Sequence, residues 1–240
     1  MNITKLTRCF YSYIRSKKKV KDHIECLIKS DGTKTSNHAE SAEVLAQFFS
    51  SVYVKENVIN VPDFPSRSHN QINSLIIAEE DLLQKLSQLN ISKAMGPDKI
   101  HAWILKEGRY GLCKPLSMLY NLSLKCSKLP TDWKQAIVTP IFKKGCRHDP
   151  NNYRPVSLTS QVCKVLEFFV SSSITNFLTQ NNLITQHQHG FTRGRSCLTN
   201  LLTALNDWTL SLDKGIGTDV IYLDFQKAFD TVPHCRLIKN

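Results

Sequence analysis

A single carboxylate stands out for the company it keeps. Across Asp219–Phe225, Val220, Tyr222 and Asp224 fall on one face of an extended segment, and Ile221, Leu223 and Phe225 fall on the other. The segment is predicted to be a strand, and Asp224 ends it. An acid in such apolar surroundings needs a partner, whether a metal ion, an arginine or backbone donors, because burying it bare is costly. A second acid, Asp230, lies six residues on within Ala228-Phe229-Asp230-Thr231-Val232-Pro233, where it suits a helix N-cap as well as a turn.

Cations form the other half of the chemistry. The run from Trp133 to Gly145 reads as a strand, Ala136–Phe142, that ends in Lys143-Lys144-Gly145. Such an end can hold a phosphate, or it can be a solvated hairpin tip. Further on, Arg154 precedes Pro155, which fixes the local backbone and can aim a guanidinium at phosphate oxygens. In Gly190-Phe191-Thr192-Arg193-Gly194-Arg195-Ser196, glycines permit close backbone approach and two arginines supply charge. A predicted helix start at Ser196 adds unpaired N–H groups, so this stretch is the best candidate anion seat.

The whole composition agrees with a polyanionic partner. Thirty-one Lys and Arg against twenty Asp and Glu give the 240-residue chain a formal charge of +11. The excess concentrates in residues 1–34 and 125–154. For Lys17, Lys18 and Lys19 a solvated helical face and a nucleic-acid contact are equally good readings. No apolar run approaches the roughly 18 residues that span a bilayer, and the start lacks the apolar core of a secretory signal. An intracellular protein, nuclear or cytoplasmic and without a membrane partner, is the expectation. The eight cysteines show no C-x-x-C and no Cys/His cluster, so they read as free thiols. His187 and His189 form an H-x-H without a third nearby ligand, which is a weak metal signal.

The elements that must position these groups follow from hydrophobic spacing. Phe10, Tyr13 and Ile14, then Ala42, Leu45, Ala46 and Phe49, repeat at helical intervals. Residues 54–73, with Pro62 and Pro65, have linker chemistry and separate a helical extension (1–60) from a second domain (75–240). Helices are predicted over residues 78–89, 101–107, 116–126, 159–180 and 198–212. The fold class expected is α+β, with one or two strands packed on the 198–212 helix.

In this order, the segments resemble the reverse transcriptases of non-LTR (LINE-type, jockey-like) retrotransposons. The resemblance is carried by Lys93-Ala94-Met95-Gly96-Pro97-Asp98, by Ile137–Lys144 followed by Asn152-Tyr153-Arg154-Pro155-Val156-Ser157-Leu158, by Gln188-His189-Gly190-Phe191 through Arg195-Ser196, and by Tyr222-Leu223-Asp224-Phe225-Gln226-Lys227-Ala228-Phe229-Asp230. It implies fingers and an incomplete palm of a polymerase that takes an RNA template, a DNA primer and dNTPs. By resemblance, Asp224 is the first catalytic carboxylate, which with the Phe225 backbone carbonyl holds Mg2+. Lys143 and Arg154 clamp the triphosphate, and Phe229 lies under the incoming sugar and rejects a 2′-hydroxyl. Lys144, Gly190, Arg193 and Arg195 touch template or primer backbone. The sequence departs from the family at Met95, usually Pro, at Lys99, usually Gly, and at His189, usually small or basic. It also contains no adjacent aspartate pair, the family's second source of metal ligands. The expectation is therefore a truncated fragment with inherited Mg2+-dependent nucleotidyl transfer, inactive in isolation. The alternative is a non-catalytic nucleic-acid-binding remnant of a retroelement.

Overall fold

The computed structural model describes residues 24, 26–54, 70–225 and 227–233. The predicted helix around Phe10, Tyr13 and Ile14, the Lys17–Lys19 cluster, most of the linker, Cys9 and Cys235 lie outside them. The architecture mixes helices with one small sheet. No helix among the described residues is long and apolar enough to cross a membrane. The described residues divide into two compact units, one of residues up to Tyr53 together with Pro140–Val156, the other of residues in Val54–Thr139 and from Ser157 onward.

In the first unit, helix α1 (His38–Ser51) starts at Asn37, whose side chain accepts from the Glu40 N–H. Its Leu45 is buried with Leu27 and Tyr153 in a small core that Phe49 and Phe142 border. Thr35 and Ser41 share a buried hydroxyl–hydroxyl bond of 2.8 Å, which ties the preceding turn to the helix. Glu40 closes the same turn by accepting from Ser36 N and by pairing with Lys29 at 3.1 Å. These donors hold its carboxyl below the ordinary range, the Ser36 N–H first and Lys29 next.

The second unit is built around α2 (Glu79–Ser87), α3 (Ala102–Glu107), α4 (Arg109–Cys126) and α5 (Gln161–Gln180). Leu82 and Leu86 of α2, Leu105 of α3, Tyr120 of α4 and Val162, Val165 and Leu166 of α5 are all buried in one core. Three acids in the first turn of α2 suit the positive end of the helix dipole. The buried Tyr120 hydroxyl donates to the Val162 carbonyl at 2.8 Å, and burial raises its pKa. Burial also pushes the Cys163 thiol up to about 11.

Helix α4 begins seven residues before the predicted start at Leu116, and Pro115 lies inside it. Proline costs such a helix one N–H donor, that to Gly111, near its N-terminal end.

The sheet is a hairpin of β1 (Ala136–Phe142) and β2 (Tyr153–Thr159). The Lys143 N–H donates to Asn152 O at 2.8 Å, and the equal strand lengths carry that register through to Ala136 and Thr159. Pro140 therefore faces Pro155 in a non-hydrogen-bonded pair, where neither strand needs an N–H for the ladder.

Two expectations fail. Residues 219–225 form no strand, and Ile221, Tyr222, Leu223 and Phe225 are all exposed. Among the described residues no strand runs beside them, and an extended segment without a ladder partner is not stable as sheet. Helix α6 (Cys197–Asp213) forms as predicted, but residues 219–225 lay no strand on it. None of its residues is fully buried, and Leu198, Leu201 and Leu202 face solvent.

Candidate nucleotide and nucleic-acid site

The basic turn between β1 and β2 is held from several sides. Gly145 takes φ +92°, and a Cβ there would come within 2.8 Å of the Asn152 amide, so any side chain there would be strained and would displace that amide. Asn152 donates to Cys146 O at 2.9 Å, and the Tyr153 hydroxyl donates to Arg147 O at 2.7 Å. Asp149 accepts from Asn151 N and starts the short 3-10 turn Pro150–Asn152. The Ile28 N–H donates to His148 O at 2.8 Å, and the His148 Nδ1 contacts Cys26 O at 2.6 Å. The Arg147 guanidinium lies 4.5 Å over the Phe142 ring, which packs edge-on against Tyr153.

This framework presents Lys143, Lys144 and Arg154 to solvent. The register puts Lys143 and Arg154 on one face of the hairpin as diagonal neighbours, a spacing of roughly 7–8 Å between backbones. A point charge and a planar fork so placed suit adjacent phosphates of one polyphosphate chain.

A second cationic turn precedes α6. Ser196 caps that helix in a capping box with Thr199. His189, only 8% exposed, pairs its Nδ1 with Thr199 Oγ1 at 2.9 Å. The Thr199 hydroxyl already donates to Ser196 O, so the imidazole Nδ1–H is the donor of that pair. Its Nε2 then accepts from Arg195, whose guanidinium also donates to Gln186 O. Arg195 is thus both an exposed cation and a clasp of its own loop. Arg193 is exposed, Gly190 is exposed with the Gln188 amide 3.5 Å from where its Cβ would be, and Gly194 takes φ +78° with open space around it. His189 is a buried structural histidine, and its role is positional.

Asp224 is exposed on the non-strand segment, and Phe225, whose carbonyl was the expected second ligand, is 78% exposed. Helix α7 (Ala228–Thr231) places Phe229 outward, its ring 5.9 Å from that of Phe191 and at right angles to it. Asp230, left open between cap and turn, lies inside α7 and donates its N–H to Lys227 O. Lys143 and Arg154 belong to the first unit; Asp224, Phe229 and the Gly190–Arg195 turn belong to the second.

Among the described residues no three His, Cys, Asp or Glu side chains gather as a metal-holding group. Among the described residues Asp224 has no second carboxylate gathered with it, and one carboxylate alone is too little to hold Mg2+. The residue that sequence reasoning passed over is Phe191. A bulky apolar residue between glycine and two arginines, just ahead of a helix cap, was the available signal.

Residues 141–240 match the reverse transcriptase (RNA-dependent DNA polymerase) family. The chain is 26% identical over 206 residues to a probable RNA-directed DNA polymerase from transposon BS of Drosophila melanogaster, covering 85% of this chain and 22% of that protein. It is 23% identical over 220 residues to the probable polymerase from transposon X-element of the same fly, covering 88% of this chain and 24% of the relative. A third relative, the RNA-directed DNA polymerase from mobile element jockey of Drosophila melanogaster, is 24% identical over 160 residues, or 66% of this chain and 18% of its own length. The chain thus spans about a quarter or less of the length of these relatives. Such enzymes are generally metal-dependent. The chain is thus similar to RNA-directed DNA polymerases of non-LTR retrotransposons, with its reverse transcriptase match over residues 141–240.

Proposed function

We propose that this chain supplies substrate-gripping elements of a reverse transcriptase, the fingers hairpin and the beginning of the palm. The reaction inherited is nucleotidyl transfer: the primer 3′-oxygen bonds to the α-phosphorus of a dNTP, and the bond to the departing pyrophosphate breaks. The observation that carries this reading is the shared exposed face of the hairpin, with Lys143 just past β1 and Arg154 in β2, within the region that matches the family. Lys143 acts as a point charge and Arg154 as a fork on the triphosphate. Phe229, an outward ring five residues after Asp224, sits under the sugar and excludes a 2′-hydroxyl. Asp224 stands as the first catalytic carboxylate, and with the Phe225 carbonyl it would supply part of the oxygen ligands of a magnesium ion, whose chemistry in such a site is to stabilise charge on the phosphates. Lys144, Gly190, Arg193 and Arg195 contact template or primer phosphates. An RNA template and DNA primer place this work in the nucleus or cytoplasm.

Primer extension and binding test the reading together. The purified chain with a primed RNA template, dNTPs and Mg2+ is expected to bind the template but not extend the primer. Binding should weaken linearly in log–log form as salt rises, and Asp224→Asn should leave it unchanged. Extension that disappears in Asp224→Asn would contradict the expected inactivity, and failure to bind at low salt would contradict the whole reading.

A further inference from the structure

Phe191 occupies a backbone conformation that bulky residues avoid, with φ +56°, and it is 97% exposed. Neither the backbone nor water favours this arrangement, and the only ring it meets among the described residues is Phe229, at 5.9 Å and 88°. The turn beneath it is nonetheless well fastened. Gln188 and Thr192 both donate to Gly190 O, at 2.9 and 3.2 Å, Arg195 N donates to Thr192 O, and the His189–Thr199 bond ties the turn to the α6 cap. A ring held this way loses little freedom when something covers it. Strain of this kind, maintained by its surroundings, is a mark of a working surface.

The surroundings say what covers it. From Leu183 to Asn206 the sequence contains no Asp or Glu, while Arg193 and Arg195 are exposed on the same turn. A flat apolar face beside two cations suits an unpaired nucleobase with a phosphate next to it, the arrangement by which proteins hold single strands without reading their sequence. We propose that Phe191 is a stacking platform for an unpaired base of a single-stranded nucleic acid, with the Phe229 ring packed at right angles to it. The proposal rests on the polynucleotide-binding reading above and adds to it a base contact.

The substitution Phe191→Asn separates this role from a structural one, because asparagine tolerates the left-handed conformation. The full chain carrying Phe191→Asn should melt at the same temperature as the wild type or higher. Its affinity for a uridine-rich single-stranded 12-mer should fall about tenfold, in line with the loss of one base–aromatic stack. Phe191→Tyr should keep wild-type affinity. A matching oligonucleotide with 5-iodouridine should cross-link on irradiation to the peptide that contains Phe191. RNA and DNA versions of the 12-mer show whether either sugar is preferred; cross-linking of either at Phe191 supports the platform. Unchanged affinity in Phe191→Asn, with loss in Arg193→Ala and Arg195→Ala, would overturn the stacking role and leave the binding reading standing. A wild-type chain that binds neither strand at low salt would overturn both.

Discussion

Alanine at position 96 is expected to lower stability by roughly 3 kcal/mol, about 6–12 °C in thermal midpoint for a chain of this size. A Cβ on Gly96 would stand 2.6 Å from Ser160 N and from the Thr159 carbonyl carbon, and 2.7 Å from the Thr159 oxygen. All three are backbone atoms at the junction of β2 and α5, so no side chain can rotate away to make room. The same junction is held by Ser160 donating to Asp98 at 2.6 Å and by Gln161 donating to Ala94 O at 2.6 Å. Ser160 also caps α5, accepting from Val162 N and Cys163 N. Forcing the loop outward therefore loosens a cap and two tertiary bonds together. Gly111→Ala is the matched control. Nothing lies within 4 Å of a Cβ there, and in helix α4 alanine should stabilise by about 0.5–1 kcal/mol. Thermal melts of both variants check the pair; equal midpoints for Gly96→Ala and wild type would show that the loop is not seated on this junction.

Trp133→Ala is expected to cost about 3–5 kcal/mol. Trp133 is buried to 8% exposure in the larger core, and its ring lies 5.5 Å from that of Tyr120. It belongs to a 3-10 turn, Thr131–Lys134, that leads directly into β1. Removing the indole opens a cavity beside Cys163 and Leu166 and frees the start of the hairpin whose far end carries Lys143 and Arg154. Trp133→Phe should recover most of the loss, since a ring against Tyr120 remains. Urea titration decides it: a midpoint for Trp133→Ala near that of wild type would contradict the burial described.

Local pattern revealed the helices well, because each stripe of Leu, Val and Ile had only one period to satisfy. Leu82 and Leu86, Val162 and Leu166, and the Ser196 cap are where the spacing puts them. The strand Tyr153–Thr159 was read only as an arginine beside a proline. Pro155 argues against a strand unless its partner is known, and only the register reveals that it faces Pro140. The opposite error affected residues 219–225. Their alternation is as strand-like as any in the chain, yet a strand is a pair property, and no neighbour runs beside them among the described residues. Lys99 shows a third relation. At the position where the resemblance implies glycine, it takes φ +56°, a left-handed conformation that glycine adopts more readily than lysine. Of the candidate site, residue types and order were legible. The shared face of Lys143 and Arg154 was not, because it depends on which residues pair across the hairpin. Nor was the Phe191–Phe229 contact, which joins segments far apart in sequence.

The central claim is that the turn bearing Lys143 and Arg154 grips the triphosphate of an incoming nucleotide. Its most direct test is photolabelling of the full chain, with primed RNA template and Mg2+, by dATP that carries an aryl azide on its γ-phosphate. Label should fall within residues 142–155, unlabelled dATP should compete it away, and Lys143→Ala with Arg154→Ala should reduce the yield at least tenfold. Label placed elsewhere in the chain, at a yield indifferent to both substitutions, would contradict the assignment.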